Sequence, residues 1–93
     1  EMRLLEGDAG ELAPGVRWVL TPGHTAGGVT FAVDAEDGVT AICGDIVGPS
    51  RDAFDAMEPE PGPDAADLLA SWRRIRALAP RRLVAGHLPP FDL

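Results

Sequence analysis

The first half of the chain alternates apolar with polar or smaller residues, a pattern typical of half-buried β-strands. Residues 16–20 read V-R-W-V-L and stop at a Thr-Pro-Gly sequence, so they predict one strand. Residues 29–34 (V-T-F-A-V-D) and 39–43 (V-T-A-I-C) flank a Glu-Asp-Gly loop and predict a hairpin. Residues 2–5 predict a further short strand.

The pattern changes to a helical period after Asp64. The apolar residues that would form one stripe are Ala65, Leu68, Leu69, Trp72, Ile75 and Ala79. Their spacing predicts a helix at about 64–79, with Asp64 as its N-cap and Pro80 ending it. Residues 82–85 then predict a short buried strand. A helix between strands indicates an α/β architecture with mixed layers.

The segment between hairpin and helix, residues 49–63, is rich in Pro, Asp and Glu and predicts an exposed loop. Phe54 and Met57 are its candidate anchors to the body of the protein. Its prolines stiffen the chain without bringing its carboxylates together, so we interpret the acidic residues as a solvated surface. These residues are Asp52, Asp55, Glu58 and Glu60.

Length and charge narrow the function classes. Ninety-three residues suffice for one small domain, so residues 1–93 are expected to form a single domain, and the opening at Glu1 reads like a piece of a longer protein. A net charge of −7 argues against nucleic acid and anionic membranes as partners and favours a small-molecule substrate. The chain has no membrane-length apolar run and no signal peptide, and its single cysteine is compatible with the expected cytoplasmic location.

All eight basic residues are arginines, and several follow one another near the predicted helix end. This group consists of Arg73, Arg74, Arg76, Arg81 and Arg82. The group could bind phosphate or nucleic acid. Because the whole chain is acidic, we favour the interpretation that these arginines solvate the outer helix face and complement the helix C-terminus.

The candidate chemistry lies at the ends of three predicted strands. His24, Asp45 and His87 each follow a strand directly after a Gly, and the chain has no other histidines. Glycine lets the backbone turn without blocking a neighbouring side chain, and imidazole with carboxylate suits zinc and similar divalent ions. Taken singly, each residue could also belong to an ordinary turn or chain exit. The three together make a metal site and a plain set of loop residues comparable hypotheses.

At these positions the sequence resembles the metallo-β-lactamase-fold hydrolases. Residues 21–28, T-P-G-H-T-A-G-G, are similar to the family's T-P-G-H-T-x-G segment, Gly44-Asp45 to its G-D step, and residues 86–90, G-H-L-P-P, to its closing G-H-x-P-P segment. The resemblance implies the C-terminal half of an αββα sandwich. It also implies that His24 binds a first metal, His87 a second, and Asp45 bridges both.

The activity that this resemblance implies is hydrolysis of an ester, thioester, lactone or amide through a metal-bound hydroxide. The implied cofactors are two divalent metal ions, with zinc the expected metal. Thr25 has two interpretations, a hydrogen bond that supports a ligand or an ordinary turn residue.

Departures from the family pattern limit what the chain can do alone. The family's H-x-H-x-D-H motif is absent, which leaves two protein ligands for each ion where zinc generally has three or four. We therefore expect an incomplete site, inactive by itself, that a missing N-terminal half or a second chain completes. Exposed apolar surface would make a homo-oligomer possible.

Other departures concern the type of substrate and the cysteine. The lactonases of the family share a tyrosine between the bridging aspartate and the last histidine, but the chain has no Tyr. The glyoxalase-like G-H-E-Y segment is also replaced, since Leu88 and Pro89 follow His87. Both differences count against those specificities. Cys43 lies on a predicted strand and is interpreted as a small buried hydrophobic residue.

Two alternatives to the enzyme remain. The chain could be a noncatalytic structural or interaction module derived from the same fold, in which case its parent reading frame would lack an upstream H-x-H-x-D-H motif. It could also be an unrelated small α/β binding protein, and then His24, Asp45 and His87 would lie far apart.

Overall fold

A single mixed sheet organises the protein. The computed structural model describes residues 7–23, 28–48, 50–86 and 88–93. The strands are β1 (Ala9–Ala13), β2 (Val16–Leu20), β3 (Val29–Ala35), β4 (Gly38–Gly44), β5 (Arg82–Ala85) and β6 (Phe91–Asp92), and the helices are α1 (Arg51–Ala56) and α2 (Ala65–Ala77). The strand order in the sheet is β1-β2-β3-β4-β5-β6. The α/β prediction is confirmed.

The direction of each strand decides which strand ends lie at the same edge of the sheet. The pairs β1–β2, β2–β3 and β3–β4 are antiparallel, β4–β5 is parallel, and β5–β6 is antiparallel. It follows that β2, β4 and β5 run in one direction and end at the same edge of the sheet. The connection from β4 to β5 carries both helices, as a parallel crossover requires.

One face of the sheet forms the main core. Ala41 and Leu83 contribute from the strands and are fully buried against the helices. Phe54 of α1 and Trp72 of α2 are also fully buried, with ring centroids 5.4 Å apart in an edge-to-face arrangement. Both helices therefore pack on the same side of the sheet.

The opposite face of the sheet is also apolar. Residues directly paired across antiparallel strands point to the same side, and the pairs Trp18 with Phe31 and Phe31 with Ile42 lie across the middle of the sheet. Trp18 is buried, Phe31 is half-buried and Ile42 is 42% exposed. We name these three residues the second sheet face.

The predicted strands at 16–20, 29–34, 39–43 and 82–85 are confirmed, and the structure adds β1 and β6. The sequence of β1, A-G-E-L-A, lacks the β-branched and aromatic residues that favour strands. The missed signal was the Pro14-Gly15 turn, where Gly15 has a φ of 79°, as the second central residue of a type II turn requires. Residues 2–5 lie outside the described residues.

The predicted helix at 64–79 is confirmed as α2, which is slightly shorter. Asp64 is the N-cap residue, but its side chain makes no capping hydrogen bond. The helix ends at Ala77, and Ala79 lies beyond it with a φ of 52° and an exposed side chain, so Ala79 does not belong to the buried stripe. Pro80 follows and prevents the helix from continuing.

The prediction of a loop throughout 49–63 is wrong, because residues 51–56 form α1. The Ser50 hydroxyl caps this helix by accepting a hydrogen bond of 3.1 Å from the Ala53 amide. A helix of six residues is too short to reveal a period, and the surrounding prolines and acids concealed it. Phe54 and Met57 pack on the core, so the predicted anchors are confirmed.

Two arginines of α2 make specific contacts in addition to facing solvent. Arg74 donates a hydrogen bond of 2.7 Å to the Leu20 carbonyl, which joins the helix to the end of β2. The Arg76 guanidinium lies 4.5 Å from the Phe54 ring centroid and 3.5 Å from an Asp55 carboxylate oxygen. These contacts favour a structural role over phosphate binding. No helix within the described ranges is long and apolar enough to cross a membrane.

Candidate functional site

Asp45 lies where β4 ends, at the edge of the sheet shared with the ends of β2 and β5. Gly44 closes the strand with a φ of 54°, a left-handed conformation that favours glycine and turns the chain into Asp45. Asp45 is exposed. The predicted strand-end position of this carboxylate therefore agrees with the structure.

The end of β5 lies directly against Asp45. The Gly86 amide donates a hydrogen bond of 2.7 Å to the Gly44 carbonyl, which joins the two strand ends just beyond a register shift between Ile42 and Gly44. A Cβ atom at Gly86 would overlap Oδ1 of Asp45. Only glycine thus allows this approach of backbone to carboxylate. His87, the next residue, lies outside the described residues.

The segment that contains His24 begins and ends at the same edge. The Thr21 amide donates a hydrogen bond of 2.8 Å to the Gly28 carbonyl, which closes the base of the loop between β2 and β3. The hydroxyl oxygens of Thr21 and Thr30 are 3.0 Å apart, and both residues are buried. This hydrogen bond fixes the base of the loop. His24 and Thr25 lie outside the described residues.

A cavity of about 180 Å³ lies between the base of the His24 loop and the turn at Asp45. Its lining residues are Thr21, Gly28, Val29, Cys43, Gly44, Asp45 and Ile46. Both residues that close the His24 loop therefore face the same space as Asp45. A Cβ atom at Gly23 would stand 3.0 Å from the Ile46 side chain, so the residue before His24 also lies close to the Asp45 turn.

Cys43 adds a thiol to the cavity wall, but in its neutral form. Its side chain is 3% exposed, and Sγ donates a hydrogen bond of 3.5 Å to the Val84 carbonyl. Burial raises the pKa of this thiol to about 12, because the thiolate would lose its hydration. A thiol that stays protonated at neutral pH is a poor nucleophile and metal ligand. The prediction of a small buried hydrophobic residue is confirmed.

The donor chemistry at this edge fits a divalent cation. The Asp45 carboxylate lies beside a cavity, and zinc accepts carboxylate together with imidazole. Within residues 7–23, 28–48, 50–86 and 88–93, no three His, Cys, Asp or Glu side chains come together as a metal site. Both predicted histidine ligands fall outside these ranges, so the assignment of His24, Asp45 and His87 stays a prediction.

A sheet with helices on one face and a carboxylate at a shared strand edge agrees with the family that the sequence matches. The family model described as the metallo-beta-lactamase superfamily matches residues 3–87, and the chain belongs to this family. The family resemblance found in the T-P-G-H-T, G-D and G-H-x-P-P segments is thereby confirmed. The family consists of metal-dependent hydrolases that generally bind divalent metals, usually zinc.

Several solved structures are similar to this chain in fold. An N-acyl homoserine lactone hydrolase with the product N-hexanoyl-L-homoserine bound at its catalytic metal centre is similar at 24% identity and a TM-score of 0.64, over 84% of this chain and 32% of that one. A Bacillus thuringiensis AiiA variant with N-decanoyl-L-homoserine bound at its active site gives the same four values.

A quorum-quenching N-acyl homoserine lactone lactonase is also similar, with a TM-score of 0.64 and 24% identity over 84% of this chain and 33% of its own. The chain thus spans about a third of the length of these structures. At this identity the likeness establishes the fold. A search of curated proteins gave no match.

Proposed function

We propose that the chain supplies the C-terminal half of the active site of a dinuclear metal-dependent hydrolase. In this proposal His24 binds one metal ion, His87 binds the other, and Asp45 bridges the two. The observation that carries the proposal is the common edge at which β2, β4 and β5 end, with Asp45 beside a cavity. In the sequence, Asp45 directly follows β4, His87 follows the Gly after β5, and His24 comes four residues after the end of β2.

The described residues support this role because they hold the ends of β2 and β4 at one cavity, with the end of β5 beside Asp45. Gly86 allows the end of β5 to lie against the Asp45 carboxylate, and the Thr21–Gly28 hydrogen bond holds the base of the His24 loop at the same cavity. Asp45 would hold both ions and offset part of their charge. When bound, the metals supply Lewis-acid polarisation of the scissile bond and activate water.

The substrate class follows from the family and the charge of the chain. We propose a small ester, thioester, lactone or amide, with zinc as the metal. The similar solved structures include lactone hydrolases, which keeps a lactone among the candidates. The absence of Tyr from the sequence argues against the homoserine lactone specificity of those relatives.

The proposal includes a partner for the second sheet face. On this face Ile42 is 42% exposed and Phe31 is half-buried beside the buried Trp18, and soluble proteins usually cover a large apolar patch of this kind. An N-terminal half, in the same polypeptide or in a second chain, would cover the face and add the missing metal ligands.

A metal titration with matched variants tests the assignment. We expect the chain to bind Zn²⁺ weakly in isothermal titration calorimetry, and we expect His24→Ala, Asp45→Asn and His87→Ala each to weaken this binding at least tenfold. Asp37→Asn is the control, because this exposed aspartate lies in the β3–β4 turn at the opposite sheet edge. Equal zinc affinity for Asp45→Asn and Asp37→Asn would overturn the assignment.

A noncatalytic module of the same family is the second candidate. The shortage of ligands in this chain favours it, since only two histidines occur in the sequence. The parent reading frame separates the two: an H-x-H-x-D-H motif upstream of Glu1 supports the enzyme. Its absence from a parent that begins near Glu1 supports the module.

A further inference from the structure

One face of α2 contacts both loops that carry proposed metal ligands. Leu68, Ser71 and Trp72 are spaced as i, i+3 and i+4, which places them on the same side of the helix. The Ser71 hydroxyl donates a hydrogen bond to the Pro22 carbonyl, two residues before His24. The Trp72 indole Nε1–H donates one of 2.7 Å to the Ile46 carbonyl, one residue after Asp45.

Leu68 adds an apolar contact to the same arrangement. A Cβ atom at Gly23 would stand 2.8 Å from Cδ2 of Leu68 and 3.0 Å from Cδ1 of Ile46. The two loops therefore meet each other and α2 at one point. Gly23 is the residue that lets them approach this closely.

We propose that Ser71 and Trp72 are positioning residues that hold Pro22, at the start of the His24 loop, and Ile46, next to Asp45, at one place on α2. The inference rests on the proposed function. Two neighbouring residues of one helix each hold one loop by its backbone carbonyl, so the loops cannot shift independently. Both side chains are almost fully buried, at 1% and 0% exposure, so water cannot readily replace either hydrogen bond.

A purely structural role predicts a different outcome. If the two hydrogen bonds only stabilised the fold, any substitution in α2 with the same loss of unfolding free energy would change zinc affinity equally. If they position the loops, a variant that lacks one of these hydrogen bonds must order the ligands when it binds metal. Its zinc affinity then falls by more than its loss of stability predicts.

The test compares Ser71→Ala and Trp72→Phe with Ile75→Val in the full 93-residue chain. Ile75 is fully buried on the same helix, so its substitution perturbs packing without removing a loop hydrogen bond. Urea unfolding gives stability, Zn²⁺ titration gives affinity, and the visible spectrum of bound Co²⁺ reports ligand geometry. We expect Ser71→Ala to weaken Zn²⁺ binding about three- to tenfold beyond the control at matched stability, and to alter the Co²⁺ spectrum. Ser71→Thr, which keeps the hydroxyl, should recover most of the affinity.

Amide hydrogen exchange without metal separates failure of this inference from failure of the proposed function. We expect Ser71→Ala to accelerate exchange at Thr21, and Trp72→Phe at Ile46, while Ile75→Val changes neither selectively. If the unsubstituted 93-residue chain binds no metal, the proposed function fails. The exchange result alone then decides whether α2 positions the loops. The inference would be overturned if Ser71→Ala and Trp72→Phe changed zinc affinity, the Co²⁺ spectrum and amide exchange no more than Ile75→Val does at the same loss of stability.

Discussion

At the scale of single residues, the approach of Gly86 to Asp45 is the most demanding contact of the candidate site. A methyl group at Gly86 would overlap Asp45 Oδ1, whereas Gly48 has open space around it. Because neither glycine has a positive φ, the comparison isolates the effect of space from that of backbone conformation.

We expect Gly86→Ala to displace the Asp45 carboxylate at a cost of about 1 kcal/mol or less in the free energy of unfolding, because the overlapping oxygen ends an exposed side chain that can rotate away. Zinc affinity should fall with it. Gly48→Ala serves as the control and should leave both quantities nearly unchanged. Urea unfolding and calorimetric Zn²⁺ titration measure the two effects, and identical behaviour of the two variants would contradict the close contact.

The Cys43 thiol gives a second prediction, on pH. Its pKa rises from 9.0 to about 12 on folding, so the unfolded chain releases this proton at lower pH than the folded chain. The stabilisation is complete below pH 9 and is lost as the pH rises from 9 towards 12, at roughly 1 kcal/mol per pH unit. The sequence has no Tyr or Lys whose titration would hide the effect.

Urea unfolding at several pH values between 8 and 11 measures this slope. Cys43→Ala should flatten it, since arginine stays charged and the α-amino group titrates mainly near pH 8. An equally steep decline in Cys43→Ala would show that another process causes it.

The sequence could predict which residues lie at this edge of the sheet, but not which residues they contact. Gly44 and Asp45 follow an alternating strand, so their place at a strand end was readable from the local pattern. The contacts of Asp45 with Gly86, and of Pro22 with Ser71, join residues far apart in the chain. Such contacts depend on the strand order of the folded sheet.

At the scale of elements, α1 shows how a short helix depends on its cap. Its six residues make few internal hydrogen bonds, and Ser50 satisfies the Ala53 amide at the start. Arg51 and Asp55 add an exposed ion pair with an N–O distance of 3.2 Å, whose contribution is small. Burial of Phe54 then holds the helix on the core.

Ser50→Ala should reduce the free energy of unfolding by about 1 kcal/mol because the Ala53 amide loses its partner. Ser50→Asp keeps a capping oxygen and should retain most of the stability. Urea denaturation measures both variants. No loss in Ser50→Ala would mean that the cap does not stabilise α1.

Elements with a strong period were predictable, and those without one were not. The apolar stripe of α2 faces the core, and the apolar residues that alternate in β2 and β3 share the second sheet face, so both patterns leave a direct trace in the sequence. The edge strand β1 is mostly exposed, so its residues carry little such information. Its formation depends on pairing with β2.

At the scale of the whole molecule, the second sheet face determines how the chain should behave in solution. The face combines Trp18, Phe31 and Ile42, and 42% of Ile42 is exposed. We expect the isolated chain to self-associate and to bind a hydrophobic dye. Size-exclusion chromatography and dye fluorescence measure these properties.

Ile42→Thr should reduce both association and dye binding, because it removes apolar area at the centre of this face while keeping a β-branched side chain. Leu93→Thr is the control, since Leu93 is similarly exposed at 39% but lies beyond the last strand. Equal effects of the two substitutions would argue against the second sheet face as the contact surface. A compact monomer that excludes the dye would contradict the expectation altogether.

The parallel pairing of β4 with β5 also sets the order in which the protein can assemble. Strands β1 to β4 are neighbours along the chain and can pair as soon as they are synthesised, whereas β5 must return across residues 45–81. A nascent chain that stops before Arg82 would keep most of its sheet but lack the wall beside Asp45. The wall of the proposed metal site beside Asp45 would then form only when β5 has paired, late in the synthesis of this chain.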